Sequence, residues 1–421
     1  MLYNEIENKT KEILFAINGL VCFQSIRKTN LIRCTIDFLT SFEESLQHND
    51  GTNKQLAITI EKYTQVFFAV MDDVNQAPDF SIKIISLLEQ DENFFSIYAS
   101  GRTSTISAFP SEANHIVYQD LKKCISLLTF SSSIYVEYLK EKTGCELPKW
   151  YNNISFLSID ELYHYLWNKY QANGFGMFSK YHAFVWKNKK LEPVRNPDTI
   201  KREQLFSYEY ELNRIEENTK RLISGKRGEN LLLFGARGTG KSSIVKAMAN
   251  DYHSEGLRLI EINKDDLLTI SELLEYLSDF LNTRYSFLLF LDDLTFSEED
   301  VRYTALKTLL EGGMKSRPVN TAIYATSNRR HIVVEKKEQD LYANDGRNER
   351  LSLSDRFGIA IRFASPTQVQ YLDIVQGILK FRNLSFQVNT IEKEAITWAM
   401  QENGFSPRTA RQFCDFYEGL P

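Results

Sequence analysis

The stretch Leu231-Leu232-Leu233-Phe234-Gly235-Ala236-Arg237-Gly238-Thr239-Gly240-Lys241-Ser242-Ser243 restricts the fold more than any other part of the chain. Four apolar residues predict a buried parallel strand. Gly235 to Ser242 satisfies G-x-x-x-x-G-K-[ST] at every fixed position, and Ile244, Val245, Ala247 and Met248 follow at helical spacing. The glycines let successive backbone N–H groups turn inward around phosphate oxygens, and the helix N-terminus adds the positive end of its dipole. Lys241 is expected to reach the β- and γ-phosphates, and the Ser242 hydroxyl to ligate Mg²⁺. The alternative is a glycine-rich turn that binds nothing. A strand before and a helix after the loop argue against it.

The remainder of the chain has the composition of an ordinary globular protein. Its 421 residues suffice for two or three domains with real cores. A net charge of −5 gives no overall basic field for nucleic acid and leaves only a local patch for such a role. The 28 Phe and 21 Tyr are read first as core. Five scattered cysteines with no C-x-x-C pair point to a reducing compartment rather than a disulfide frame or a zinc site. The six histidines show no metal-ligand spacing. No apolar run reaches the ~18 residues needed to span a membrane, and no basic-then-apolar leader follows Met1. A cytoplasmic protein without membrane contact is expected.

Residues 1–172 predict a mainly helical domain serving recognition or support. Leu56, Ile60, Tyr63, Phe67 and Val70 fall on one helix face, and Leu121, Ile125 and Leu128, Ile134–Val136 and Leu162–Tyr170 suggest further helices. Asn49-Asp50-Gly51 and Gln76-Ala77-Pro78 separate them. Residues 173–222 predict a linker and approach segment, with a short strand at His182–Trp186, an extended run at 191–194, and an amphipathic helix carrying Tyr210, Leu212, Ile215 and Leu222.

Residues 223–365 predict the nucleotide domain. Further strands are expected at Leu257–Ile262, Phe287–Leu291, Thr321–Ala325 and Ile359–Phe363, with a helix at Val301–Leu310 and a turn at Glu311-Gly312-Gly313. The third apolar run ends in Asp292-Asp293, the Walker B pattern; Asp292 is expected to hold Mg²⁺ and Asp293 to orient and polarise water. Thr326-Ser327-Asn328 ends the next strand, beside the phosphate crevice. Residues 332–350 are charged and aperiodic, which predicts a mobile loop. Residues 366–421 predict a helical lid, with helices at 367–381, 391–401 and 407–417, the first carrying Val369, Leu372, Val375 and Leu379 on its apolar face. Ser406-Pro407 starts the last, and Arg408 lies in its first turn.

These motifs, in this order, resemble the AAA+ ATPase superfamily, and more closely a family of bacterial AAA+ proteins of unassigned function. The matching stretches are Gly235–Ser243, Phe287–Phe296, Leu310–Gly313, Tyr324–His331, Leu351–Gly358 and Arg408–Phe413. The resemblance covers residues 174–418 and implies an α/β P-loop domain with a parallel sheet and a C-terminal helical lid. It makes Lys241 and Ser242 the Walker A pair, Asp292 the Mg²⁺ residue, and Asp293 the counterpart of the catalytic glutamate. Asn328 becomes sensor 1, Arg356 the arginine finger and Arg408 sensor 2; Tyr208 marks the segment that packs on adenine. Gly235, Ala236, Arg237, Gly238, Thr239, Gly240, Lys241, Ser242 and Ser243 cradle the phosphates of ATP.

Two departures from the pattern stand out. Asp293 is one methylene shorter than glutamate, which implies slow hydrolysis, and the glycine often found near Tyr208 is replaced by Ser207. For Arg356 and Arg408 a structural ion pair and a solvated face are the alternatives. The resemblance implies a homo-oligomer acting on a macromolecule, with a protein target preferred. Arg329-Arg330-His331, Arg347, Arg350 and Arg362 keep a nucleic-acid loader open, and Asp293 keeps a slow nucleotide switch open.

Overall fold

The structure, a computed structural model, describes residues 2–47, 53–71, 77–156, 158–297, 300–311, 317–329, 333–334, 356–402 and 404–419. Of the sequence expectations, Asn49-Asp50-Gly51, Gln76, Gly312-Gly313, Arg330, His331, Arg347, Arg350 and residues 351–355 lie outside that set. So do residues 332–350, apart from Val333–Val334. The chain divides into two compact units, Met1–Lys180 and Tyr181–Pro421.

The first unit is helical: α1 Leu2–Asn18, α2 Asn30–Gln47, α3 Asn53–Val70, α4 Phe80–Gln90, α5 Phe94–Ala99, α6 Ser111–Leu128, α7 Ser133–Thr143, α8 Ile159–Asn173 and the short α9 Gly176–Lys180. Its core is aromatic. Phe38 meets Tyr63 and Tyr135 edge-on at 5.4 Å, and Trp150 stacks on Tyr63 at 5.3 Å. Such pairs add to the burial of their large apolar faces. Buried polar groups are spent on the backbone. Asp120 Oδ2 accepts from the N–H groups of Val21, Cys22 and Phe23, and Asp79 Oδ1 caps α4 by accepting from Ile82 N–H at 3.0 Å.

The second unit is an α/β layer structure. Its strands are β1 Ala183–Lys187, β2 Lys190–Pro193, β3 Leu231–Gly235, β4 Leu257–Ile262, β5 Ser286–Leu291, β6 Phe296–Ser297, β7 Thr321–Ser327, β8 Val333–Val334 and β9 Ile359–Phe363. Among the described residues they form a seven-stranded sheet in the order β2-β1-β4-β5-β7-β3-β9 and a two-stranded parallel pair, β6-β8. Only the edge hairpin β1–β2 is antiparallel within the large sheet. The helices of this unit are α10 Glu209–Ile223, α11 Lys241–Tyr252, α12 Ile270–Ser278, α13 Val301–Glu311, α14 Gln368–Phe381, α15 Val388–Gln401 and α16 Pro407–Glu418.

Alternate residues of the central strands explain the layering. Leu231 and Leu233, Leu288 and Phe290, and Ile361 and Phe363 pack with Leu212, Ile215 and Leu222 of α10 and Ile244, Val245 and Met248 of α11. The intervening Leu232, Leu289 and Ile323 are also fully buried, so both faces are covered, as a parallel sheet requires. Helices α14–α16 enclose a core of their own, including Tyr371, Val375, Ala395 and Phe413.

Several expectations need correction. Tyr210 does not share the buried face of α10; it is 68% exposed and lies near Arg214 instead. Val369 on α14 is likewise exposed. The expected mobile loop contributes Val333–Val334 to a strand beside Phe296–Ser297.

Candidate functional site

The phosphate loop sits where the sheet order switches. From β3 the chain passes through α11 to β4, three strands away, returns through β5 and β7, and then reaches β9 on the opposite side of β3. Crevices at the carboxyl ends of strands near such a switch are ligand sites. Register then sets the contents. Leu291 pairs with Ala325 and Leu233 with Thr326, so Asp292, Thr326 and the loop after Gly235 come together.

The loop demands glycine at specific places. Gly235 has φ +135°, and a Cβ there would collide with the carbonyl of Phe363 on β9. Gly240 has φ +86° with open space around it, so its requirement is conformational. Lys241 is buried, and its ammonium donates to the carbonyls of Gly235 at 3.0 Å and Ala236 at 2.7 Å. Burial lowers its pKa, against the opposing pull of Asp293 and Asp292, and nearby Arg408 lowers it further. A desolvated cation on loop carbonyls is well placed to exchange them for phosphate oxygens.

Asp292 is the hub of the strand ends. Its Oδ1 accepts from Ser242 Oγ at 2.6 Å and from Thr326 Oγ1 at 2.5 Å. These hard oxygen donors suit Mg²⁺, which takes one or two protein ligands and completes its shell with water and phosphate. Among the described residues no group of three or more His, Cys, Asp or Glu side chains is arranged to hold a metal by itself. The donor set therefore fits a magnesium ion carried with a nucleotide. The sequence placed Thr326 at the strand end beside the crevice but gave the site role there to Asn328, because a threonine in a strand is ordinarily just a β-branched residue.

Asp293 adopts φ +49°, a left-handed conformation that costs a non-glycine residue energy and that clusters at functional sites. Its N–H donates to Thr326 Oγ1 at 2.8 Å, and its Oδ1 accepts from Asn328 Nδ2 at 2.6 Å.

A cavity of about 610 Å³, within the range of ligand sites, brings most of the expected residues together. Arg237, Gly238, Thr239, Gly240, Lys241, Ser242, Ser243, Asp292, Asp293, Asn328, Tyr208 and Arg408 all line it. Gly235 and Ala236 shape the loop without facing the cavity, and Arg356 is not part of its wall. Arg408 arrives because α16 starts against the loop: its N–H donates to Gly238 carbonyl oxygen at 3.1 Å, and Ser406 caps the helix at Thr409 N–H.

The approach segment forms the opposite wall. Ser207 and Tyr208 are both left-handed, at φ +61° and +66°, where the sequence departs from the expected glycine. Tyr208 donates to Ala364 carbonyl oxygen at 2.8 Å and packs on Phe363, while Phe206 lies over Gly377 of α14, so close that a Cβ there would stand 2.5 Å from its ring. Arg411, Gln412 and Asp415, which the sequence did not single out, also face the cavity from α16.

A profile of proteins of unknown function (DUF815) matches residues 179–420, more than half of the chain. The protein belongs to the DUF815 family. No curated protein matches it. Among solved structures, similarity is found to the Thermotoga maritima RuvB Holliday junction branch migration motor, at 10% identity over 52% of this chain and 72% of that one, with a TM-score of 0.32. The Aeropyrum pernix ORC2 protein, solved as ADPNP-ADP complexes, gives 14% identity over 52% and 75%, with a TM-score of 0.33. This DUF815 protein combines a mostly parallel sheet bearing the phosphate-loop motif, a helical C-terminal segment packed on that loop, and a helical N-terminal unit. Among its described helices none is long and apolar enough to cross a membrane.

Proposed function

We propose that this protein is an AAA+ ATPase that couples Mg²⁺-dependent ATP binding and hydrolysis to conformational change in a homo-oligomer acting on a protein target. The observation that carries the proposal is the joined pair of contacts Ser242–Asp292–Thr326 and Asn328–Asp293 beside the phosphate loop. A nucleotide-independent βα turn has no need of them.

Each group has work to do in that chemistry. The loop N–H groups and Lys241 hold the phosphates, while Ser242 and Asp292 would hold Mg²⁺, which neutralises charge on the transferring phosphoryl group. Asn328 fixes one oxygen of Asp293 and leaves the other to accept a proton from water. Thr326 fixes the backbone of the same residue. Arg408 stands on the lid and answers the nucleotide's charge from there. Arg356, outside the cavity wall of its own chain, is assigned to a neighbour's site, so that residues 366–421 act as a lid within an assembly and residues 1–172 engage the target. A protein target is favoured over nucleic acid because the net charge is −5.

A second possibility, a slow switch, draws on Asp293. The aspartate is short, and its bond to Asn328 ties up one carboxylate oxygen.

The test is the ATPase rate per subunit against protein concentration, with Lys241→Ala as background. A specific rate that rises with concentration supports sites completed between subunits. ATP binding with no rate above background would leave the switch, and no ATP binding at all would remove both.

A further inference from the structure

The cavity contains an acidic side chain that phosphate chemistry does not use. Asp292 and Asp293 stand at strand ends beside the phosphate loop, but Asp415 stands on the lid. Helix α16 turns Arg408, Arg411, Gln412 and Asp415 toward the cavity, a spacing that forms one helix face. Arg408 marks the phosphate end, since its N–H is bonded to Gly238. Asp415 lies seven residues on, or about 10 Å along the axis at the rise of an α-helix. That is comparable with the reach from the phosphates of a nucleotide to its base.

The surroundings of Asp415 agree with that position. Helix α14 runs beside α16 in the same direction, with Tyr371 against Phe405 at one end and Arg382 bonded to Asp415 at the other. Between them Ile374 and Ile378, one turn apart, and Phe206 over Gly377 give the cavity an apolar wall suited to a flat ring. Arg382 Nη2 donates to Asp415 Oδ1 at 2.6 Å, and its Nη1 donates to Glu418 at 2.8 Å, so the carboxylate is oriented from behind. Among the described residues Oδ2 takes no hydrogen bond and remains for a ligand.

We propose that Asp415 selects the base: its Oδ2 accepts a hydrogen bond from the exocyclic amine of adenine and disfavours the carbonyl oxygen that guanine presents at the same edge. A carboxylate is an acceptor only, and the two purines differ there in hydrogen-bond sign. The inference rests on the nucleotide-binding reading above and names the residue within that site that reads the base.

The test is equilibrium binding of ADP, GDP and 2′-deoxy-ADP by calorimetry to the full chain, as wild type, Asp415→Ala and Asp415→Asn. Wild type is expected to prefer ADP over GDP by roughly tenfold or more, the discrimination a placed polar group supplies. Asp415→Ala brings the two to within about threefold by weakening ADP, and leaves the ratio of ADP to 2′-deoxy-ADP unchanged. Asp415→Asn, whose amide can donate, gains GDP affinity. Arg382 keeps Glu418 in either variant, and thermal unfolding of each variant reports whether the lid stays folded. An unchanged ADP-to-GDP ratio in Asp415→Ala overturns the proposal, as does a changed 2′-deoxy ratio with base preference intact, which would move the residue to the ribose. A wild type without base preference overturns it as well. Wild type that binds none of the three nucleotides would instead remove the nucleotide reading itself.

Discussion

The first unit and the candidate site handle polar side chains in opposite ways. In Met1–Lys180 they are consumed: Asp120 accepts three backbone N–H groups and an ammonium from Lys123, and Asp79 closes a helix end. Around the phosphate loop of Tyr181–Pro421 they are kept in reserve. Lys241 is buried against carbonyls, Asp292 is held by two hydroxyls, and Arg237, Arg408 and Arg411 face a cavity. Groups that serve the fold are satisfied within it, whereas groups that serve a ligand are oriented but left able to exchange partners. Substitutions of buried polar groups in the first unit should therefore move stability, and those of cavity-lining groups in the second should move turnover.

The largest effect is expected for Arg356→Ala, which should keep ATP affinity and lose turnover by on the order of 10³–10⁵. Mixing it with Lys241→Ala subunits should recover part of the rate, and a mixture as inactive as its components would break the shared-site reading. Lys241→Ala alone should reduce the rate by about 10³ while leaving the melting temperature unchanged or raised, because a desolvated ammonium is removed. A drop of several degrees would mean that Lys241 serves the fold. Asp120→Ala should cost about 3–5 kcal/mol in chemical denaturation, since three N–H groups lose their acceptor and Lys123, still bonded to the Gly19 carbonyl, loses its counter-charge.

Asp91 gives a pH test within the same unit. Burial raises its pKa to about 6, against the opposing hydrogen bond from Asn93. The folded state therefore keeps a proton that the unfolded chain releases, and stability falls as pH rises from about 4 to 6, by about 3 kcal/mol in all. Denaturation of Asp91→Asn at both ends of that window should show this fall removed; an unaltered pH profile would count against it. Asn328→Ala should have the smallest effect, a rate about tenfold lower, because the hydrogen bond it removes positions Asp293 without itself transferring the proton. Stopped-flow phosphate release would measure it.

The sequence was most legible where chemistry is local. The loop from Gly235 to Ser243, the pair Asp292-Asp293 and the strand end at Asn328 each declare themselves within a few residues. What escaped it depends on distant pairing. The strand expected at His182–Trp186 reads as part of a linker because β4, which it joins in the sheet, lies about seventy residues later. Thr326 gains its role only through the register of β5 against β7. Asp415 is an unremarkable surface carboxylate until α16 is laid against the loop. Helix α12 carried an apolar stripe at Leu273, Leu274 and Leu277 that its acidic neighbours obscured.

The approach segment has a mechanical consequence. Phe206 packs against Gly377 of α14 and Tyr208 against Phe363 of β9, and Ser207 between them and Tyr208 itself adopt conformations that glycine would enter freely. A glycine there would act as a slack joint, absorbing movement of one body before the other felt it. For Ser207 and Tyr208 the favoured wells lie across a steric barrier at negative φ, so the joint behaves as a stiff leaf spring. On the proposed reading, displacement of the lid by a bound nucleotide would be passed to the sheet rather than dissipated in the strap.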